Sequence, residues 1–119
     1  MSFAQLIVTA VTVLAIVANA GIAAADFAKA PFVLANSAEV RLQPEWIPWL
    51  ASLKAAGATG LLIGLVGYPP LGVAAALGLV LFYVGAVAAH VRTRVLHNLH
   101  FPVGYLALAV ATLVLTVTR

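Results

Sequence analysis

The sequence predicts an all-α, membrane-spanning four-helix bundle in up-down-up-down order, with residues 1–119 forming a single domain. Apolar residues make up 65% of the chain and charged residues only 8%, which is more apolar surface than a soluble domain of this length can bury. Four apolar stretches are each near the length that crosses about 30 Å of hydrocarbon, and a spanning segment has to satisfy its backbone groups internally. The predicted spans cover about residues 3–25, 48–66, 71–91 and 102–118.

The first predicted span has to be distinguished from a cleaved signal peptide. Ala18-Asn19-Ala20 is typical of a cleavage site, but no Lys or Arg precedes the apolar run. The run is also longer than the core of a typical signal peptide. We therefore expect a retained first helix.

Prolines and glycines mark the boundaries of the other three spans. Pro48 opens the second, Gly67-Tyr68-Pro69-Pro70 separates the second from the third, and Pro102 opens the fourth. The long connection of residues 26–47 contains a segment, 32–45, that is expected to form either a short interfacial helix or a lid. Trp46 and Trp49, at its end, are typical of an aromatic belt at headgroup depth.

The distribution of basic residues predicts the orientation of the bundle. Lys29 and Arg41 lie in the connection of residues 26–47, and Arg92 and Arg94 lie in that of residues 92–101. Because cytoplasmic loops carry an excess of Lys and Arg, we expect both connections in the cytoplasm and both termini outside.

Several glycines have the spacing of helix-packing residues. Gly57, Gly60 and Gly64 are three and four residues apart, which places them on one face of the second span. Gly78 and Gly85 are two turns apart on the third span. Small residues at such positions let a neighbouring backbone approach, so we expect all five to mediate helix packing.

Lys54 is the most unusual residue, because it lies within an apolar span. A primary amine in that setting is expensive unless it is paired, faces a polar cavity or reaches the interface. Lys54 lies about 9 Å into its span at about 1.5 Å per residue, and the up-down order brings the end of the first span to that depth. Asp26 is therefore its expected partner and Glu45 the second candidate. The predicted polar cluster and candidate ligand site consists of Asp26, Glu45, Lys54, His90 and Arg92.

The same sequence argues against several classes of protein. It has no cysteine, which excludes disulfides, thiol catalysis and iron–sulfur ligation. The three histidines are not placed for a b-type haem, and with three acids in the chain no metal site is expected. The net charge of +3 is dispersed, so nucleic-acid binding is not expected. Asn19 is the only strongly polar interior residue of the first span, which disfavours a proton-coupled exporter.

Three stretches resemble the DoxX-like family: residues 53–64 (LKAAGATGLLIG), residues 85–92 (GAVAAHVR), and Ala20-Gly21 followed by Lys29. The resemblance implies a four-helix integral membrane protein of the bacterial plasma membrane. The family takes its name from a subunit of a thiosulfate:quinone oxidoreductase, and related members act as accessory partners of membrane oxidoreductase complexes or assist membrane-protein folding. It implies no universal catalytic residue. By motif match, the resemblance implies that five positions are structurally or functionally important: Lys54, Gly57, Gly60, His90 and Arg92.

Three functions stay open at this point. The first is an accessory or scaffold subunit of a membrane oxidoreductase complex, not catalytic alone, that contacts the bilayer and either a membrane-protein partner or a second copy of itself. The second is a redox subunit that binds a quinone or a lipid as cofactor, with Lys54 or His90 donating a hydrogen bond to a quinone carbonyl. The third is a small transporter or an enzyme that acts on a lipophilic metabolite.

Overall fold

The computed structural model describes residues 1–118, and within them the chain is helical apart from short connections. The predicted all-α fold class is confirmed. Four of the helices, α1, α3, α4 and α5, are long and apolar enough to cross a membrane, and they overlap the predicted spans over nearly their whole length. The elements are α1 (Phe3–Phe27), α2 (Pro31–Glu39), a 3-10 turn (Pro44–Trp46), α3 (Ile47–Val66), α4 (Pro69–Arg92) and α5 (His100–Thr118).

Helix α1 begins at a capping box and buries one narrow face. The Ser2 hydroxyl accepts a hydrogen bond from the backbone N–H of Gln5 (3.1 Å), and the Gln5 side chain accepts one from the backbone N–H of Ser2 (2.8 Å). The buried residues then recur every three or four positions, which keeps them on one side of the helix. They are Val8, Thr12, Ala15, Asn19, Ala23 and Asp26.

The four long helices form a closed ring of neighbours. Helix α1 packs on α3, α3 on α4, α4 on α5, and α5 again on α1. The centre of the ring is filled by small and aliphatic side chains together with one tyrosine. This central cluster consists of Ala15, Leu61, Ala76, Leu79, Tyr83 and Ala109.

Helices α3 and α4 approach most closely at the predicted glycine face. A Cβ on Gly57 would meet the side chain of Leu79, and one on Gly60 would meet Ala75. A Cβ on Gly64 would meet the backbone of Gly72. Successive contacts therefore involve higher residue numbers on α3 and lower residue numbers on α4, so these two helices are antiparallel. The alternating order of all four spans, and their forming a single domain, stay predictions.

Gly78 and Gly85 do not lie on a face that packs against another helix of the bundle. Both are exposed, and among residues 1–118 no atom lies within 4 Å of the position that a Cβ would take on either glycine. The physical reason is the rotation of α4, which turns Ala76, Leu79 and Tyr83 into the core. Only contact with another chain would fulfil the packing prediction for these two glycines.

Three helices end in the same kind of turn, each with a basic residue in the left-handed backbone region. These residues are Lys29 (φ 50°), Arg41 (φ 62°) and Arg94 (φ 58°), where glycine is the common choice. A cation at this position also lies near the negative end of the helix dipole. A backbone hydrogen bond across six residues closes each turn: Ala30 N–H to Ala25 O (3.1 Å), Leu42 N–H to Ser37 O (2.8 Å) and Val95 N–H to His90 O (2.9 Å).

The segment predicted to be an interfacial helix or a lid contains the short helix α2 and most of the 3-10 turn. Helix α2 is attached to the connection that follows α4. Asn98 Nδ2 donates a hydrogen bond to Asn36 Oδ1 (2.9 Å), and His97 Nε2 contacts a carboxylate oxygen of Glu39. Two polar contacts therefore tie the two long connections to each other.

A comparison of Gly64→Ala with Gly78→Ala tests the packing at the α3–α4 contact. We expect Gly64→Ala to lower the free energy of unfolding by about 2 kcal/mol, because the added methyl group meets backbone atoms of Gly72. Gly78→Ala is the matched control and should leave the free energy unchanged or raise it by up to about 1 kcal/mol through helix propensity. Unfolding by SDS in mixed micelles measures both, and equal effects of the two variants would contradict the packing.

Candidate functional site

The centre of the candidate site is an ion pair between α1 and α3. Lys54 Nζ lies 2.7 Å from Asp26 Oδ2, and the two side chains are 14% and 7% exposed. Asp26 is the last member of the buried face of α1, and Lys54 lies two turns into α3. The residue in contact with Lys54 is thus the partner expected from the sequence. A charge-assisted hydrogen bond of this length satisfies both groups where little water is available.

A third helix covers the ammonium group. The ring of Phe82, on α4, has its centroid 5.4 Å from Lys54 Nζ. A cation at this distance from a ring is within the range of the attraction between a positive charge and an aromatic face. The amine is therefore held by a carboxylate of α1 and a ring of α4, and this contact joins three of the four long helices.

A second polar contact crosses the middle of the bundle. The hydroxyl of Tyr83 on α4 donates a hydrogen bond to Asn19 Oδ1 on α1 (2.5 Å), and both residues are buried. Asn19 Nδ2 donates to the carbonyl of Ala15 (2.8 Å). The ring of Tyr83 stacks on that of Tyr105 at 5.3 Å between centroids, and the Tyr105 hydroxyl donates to the carbonyl of Ala18 (3.1 Å).

Tyr83 and Tyr105 were not among the site residues predicted from the sequence, although the sequence contains a signal that could have identified them. Asn19 is a polar residue in an otherwise apolar span, so it needs a hydrogen-bond partner on a neighbouring helix. Tyr83 is a hydroxyl-bearing residue in the middle of the third span and is the partner found. Because sequence spacing does not give the rotation of a helix, only the structure shows that Tyr83 faces Asn19.

The remaining members of the predicted polar cluster stay outside the ion pair. His90 is half-buried, and its Nδ1 lies 2.9 Å from the carbonyl oxygen of Ala86 on its own helix. Arg92 and Glu45 are exposed, and neither forms an ion pair with any of residues 1–118. The sequence grouped five residues, and the structure joins only Asp26 and Lys54. The physical reason is that charged groups at helix ends reach water or headgroups at little cost and need no partner within the bundle.

Among the open grooves on the surface of the bundle, two have the size of ligand sites, and neither is lined by Lys54. One of about 550 Å³ lies at the start of α3. The other, of about 300 Å³, lies between α1 and α5 and is lined in part by His100, Phe101 and Tyr105. Among residues 1–118, no group of three His, Asp or Glu side chains is placed to hold a metal ion.

Four membrane-length apolar helices, packed in a ring around paired polar groups, define a small integral membrane protein. A model of the DoxX-like family matches residues 10–112, and the chain belongs to this family. The resemblance carried by the Lys54 segment and by the end of the third span is thereby confirmed. No significant match was found among curated proteins or among solved structures.

A double-mutant cycle tests the ion pair. We expect Lys54→Met to lower the free energy of unfolding by about 3 kcal/mol, because it leaves the Asp26 carboxylate buried without its cation. Asp26→Asn combined with Lys54→Met should recover most of this loss, since no charge is then buried. Arg92→Met, at an exposed arginine outside any ion pair of residues 1–118, is the control and should change stability by less than about 0.5 kcal/mol. Strictly additive effects of the two substitutions would argue against the pair.

The hydrogen bond inside the bundle is tested by Tyr83→Phe. We expect a loss of about 1 kcal/mol in the free energy of unfolding, in the range of hydrogen bonds between membrane helices, because Asn19 Oδ1 loses its donor. Tyr68→Phe is the matched control, since Tyr68 is 60% exposed in the connection between α3 and α4. Both are measured by unfolding in mixed micelles, and a loss of the same size at Tyr68 would refute the assignment.

Proposed function

We propose that this DoxX-like protein is an accessory subunit, not catalytic alone, that binds a larger membrane protein through the outer face of α4. The observation that carries the proposal is the contrast between its interior and its surface. Inside the bundle Lys54 is paired with Asp26 and Tyr83 with Asn19, whereas the small residues of α4 that a neighbouring helix would need point away from the bundle.

The interior offers little chemistry to a substrate. The Lys54 ammonium is engaged by Asp26, and the Asn19 amide is engaged by Tyr83 and by a backbone carbonyl. A reactant that used one of these groups would first have to break a buried ion pair or hydrogen bond, which is costly in an apolar surrounding. The arrangement therefore favours a structural role for the core.

The outer face of α4 has the composition of a helix–helix interface. Gly78 and Gly85 are exposed, and Leu81, between them, is 65% exposed. Ala74 and Ala88 extend the same face, because successive members are three or four residues apart. Helices in lipid associate mainly through close packing of small residues, since burial of apolar surface gives no advantage over lipid.

The partner class we propose is a membrane oxidoreductase complex. Its support is the family resemblance, because related members act as accessory partners of such complexes. The chain has no cysteine, so any thiol chemistry would belong to the partner. We further propose that the bundle lies in a bacterial plasma membrane with connections 26–47 and 92–101 in the cytoplasm, where Lys29, Arg41, Arg92 and Arg94 would follow the positive-inside rule.

The quinone-binding alternative has less support. It requires Lys54 or His90 to donate a hydrogen bond to a quinone carbonyl. Lys54 donates one of its three N–H groups to Asp26 in a buried ion pair, and His90 Nδ1 is within hydrogen-bonding distance of a backbone carbonyl, so each candidate donor is already partly engaged. The groove that contains Tyr105 and Phe101 is apart from both donors. The structure offers no observation that favours a transporter or a lipophilic-substrate enzyme.

Small-to-large substitutions on α4 test the accessory role. We expect Gly78→Leu and Gly85→Leu to abolish co-purification of the partner in mild detergent, because the leucine side chain keeps the neighbouring helix at a distance. Gly21→Leu on α1 and Gly104→Leu on α5 are matched controls, since these glycines are also exposed and, within residues 1–118, have open space where a Cβ would lie. Unfolding midpoints establish that all four variants fold. Retention of the partner by both α4 variants, or its loss in the controls as well, would count against this face.

A further inference from the structure

Glu45 differs from the other two acids of the chain. Asp26 is paired with Lys54, and Glu39 is in contact with His97. Glu45 is exposed and forms no ion pair with any of residues 1–118, although the chain carries a net charge of +3. An acid that is unpaired in a basic protein has its full hydrogen-bonding capacity available for an external cation.

Glu45 lies in the larger surface groove, of about 550 Å³. The backbone of this region is shaped by the 3-10 turn, in which the N–H of Trp46 donates to the carbonyl of Gln43 (3.0 Å). Trp46 and Trp49 are 55% and 70% exposed, so large parts of both indole rings are accessible. The residues that line the groove are Gln43, Pro44, Glu45, Trp46 and Trp49.

The depth of the groove is that of lipid headgroups. Its residues lie at the beginning of the second membrane-length stretch, Pro44–Val66. Tryptophans at the end of a spanning helix lie at the boundary between acyl chains and water. A ligand in this groove is therefore most readily a lipid whose headgroup carries a positive charge.

The residues that line the groove favour one kind of positively charged headgroup over the others. A primary ammonium group has three N–H donors, and the Glu45 carboxylate and the Gln43 side-chain carbonyl are acceptors for them. The faces of two indoles attract a cation electrostatically, and their N–H groups are donors for a phosphate oxygen. A quaternary ammonium has no N–H and would use only the indole faces. An anionic headgroup without an amine would be repelled by Glu45.

We infer that this groove binds the primary ammonium headgroup of phosphatidylethanolamine. Glu45 accepts from the ammonium group, and the two tryptophans flank it. The inference does not depend on the accessory role proposed above, because the groove lies at the start of α3 and the proposed docking face lies on α4. The competing explanation is a tryptophan belt that contacts any headgroup without preference.

Lipid competition on the full chain tests the inference. The protein in mild detergent is mixed with equal amounts of dioleoyl phosphatidylethanolamine, phosphatidylcholine and phosphatidylglycerol, and bound lipid is counted by native mass spectrometry. We expect a preference of about tenfold for phosphatidylethanolamine over phosphatidylcholine, the factor of one charge-assisted hydrogen bond. Glu45→Gln should reduce this preference to less than about twofold. Glu39→Gln, which removes an acid already engaged by His97, is the matched control and should keep it.

The two tryptophans give a second readout, because they are the only ones in the chain and both line the groove. We expect their emission to shift when phosphatidylethanolamine is added to phosphatidylcholine nanodiscs, and not to shift in Glu45→Gln. Soluble phosphoethanolamine, which has no acyl chains, tests whether the headgroup alone is bound. If it competes with the lipid, the headgroup is sufficient for binding. Glu45→Asp keeps the carboxylate and should retain the preference. It thereby shows that a loss of preference in Glu45→Gln comes from the missing charge and not from altered folding.

Three results would overturn the inference. One is equal binding of all three lipids by the unaltered protein, which would leave only an aromatic belt. Another is an unchanged preference in a folded Glu45→Gln variant. The third is loss of a co-purifying protein in Glu45→Gln with lipid preference intact, which would assign Glu45 to an ion pair with a protein partner.

Discussion

A protonated amine within an apolar span has few stable arrangements, and this constraint organises one end of the bundle. Lys54 reaches Asp26 at 2.7 Å, so the last turn of α1 is held at the depth of the second turn of α3. Phe82 lies over the same ammonium group and links α4 to the ion pair. Because a stranded charge would cost several kcal/mol in this setting, a shift or rotation of α1 relative to α3 is strongly disfavoured. Asn19 lies two turns earlier on the same buried face of α1 as Asp26, and there it contacts Tyr83 of α4.

The other end of the α3–α4 pair is held by a different interaction. Gly64 and Gly72 bring the two backbones into direct contact about ten residues beyond Lys54, where the connection between the helices is short. No charge is involved there, and the contact depends on the absence of side chains. The bundle thus combines one electrostatic and one steric constraint along the same helix. Together they define both the separation and the register of α3 and α4.

The interior and the surface have separate roles in this arrangement. In the interior Asp26 is paired with Lys54 and Asn19 with Tyr83, so these polar groups stabilise the fold. The small-residue face of α4 and the groove around Glu45 lie on the surface of the bundle. This distribution supports the proposed role in contact with other membrane components.

The sequence by itself determined the number of long helices and their approximate bounds, and it favoured Asp26 over Glu45 as the partner of Lys54. It did so because a bilayer permits only helices of a certain length, and because a chain with three acids offers an amine few partners. Only the tertiary structure decided which side of each helix faces inward. It turned Tyr83 towards Asn19, turned Gly78 and Gly85 outward, and left Glu45 apart from Lys54. The reason is that these helices are apolar on nearly all sides, so their own pattern does not distinguish core from lipid. Their rotation is set by the shape and hydrogen-bonding groups of the neighbouring helices, which no single segment contains.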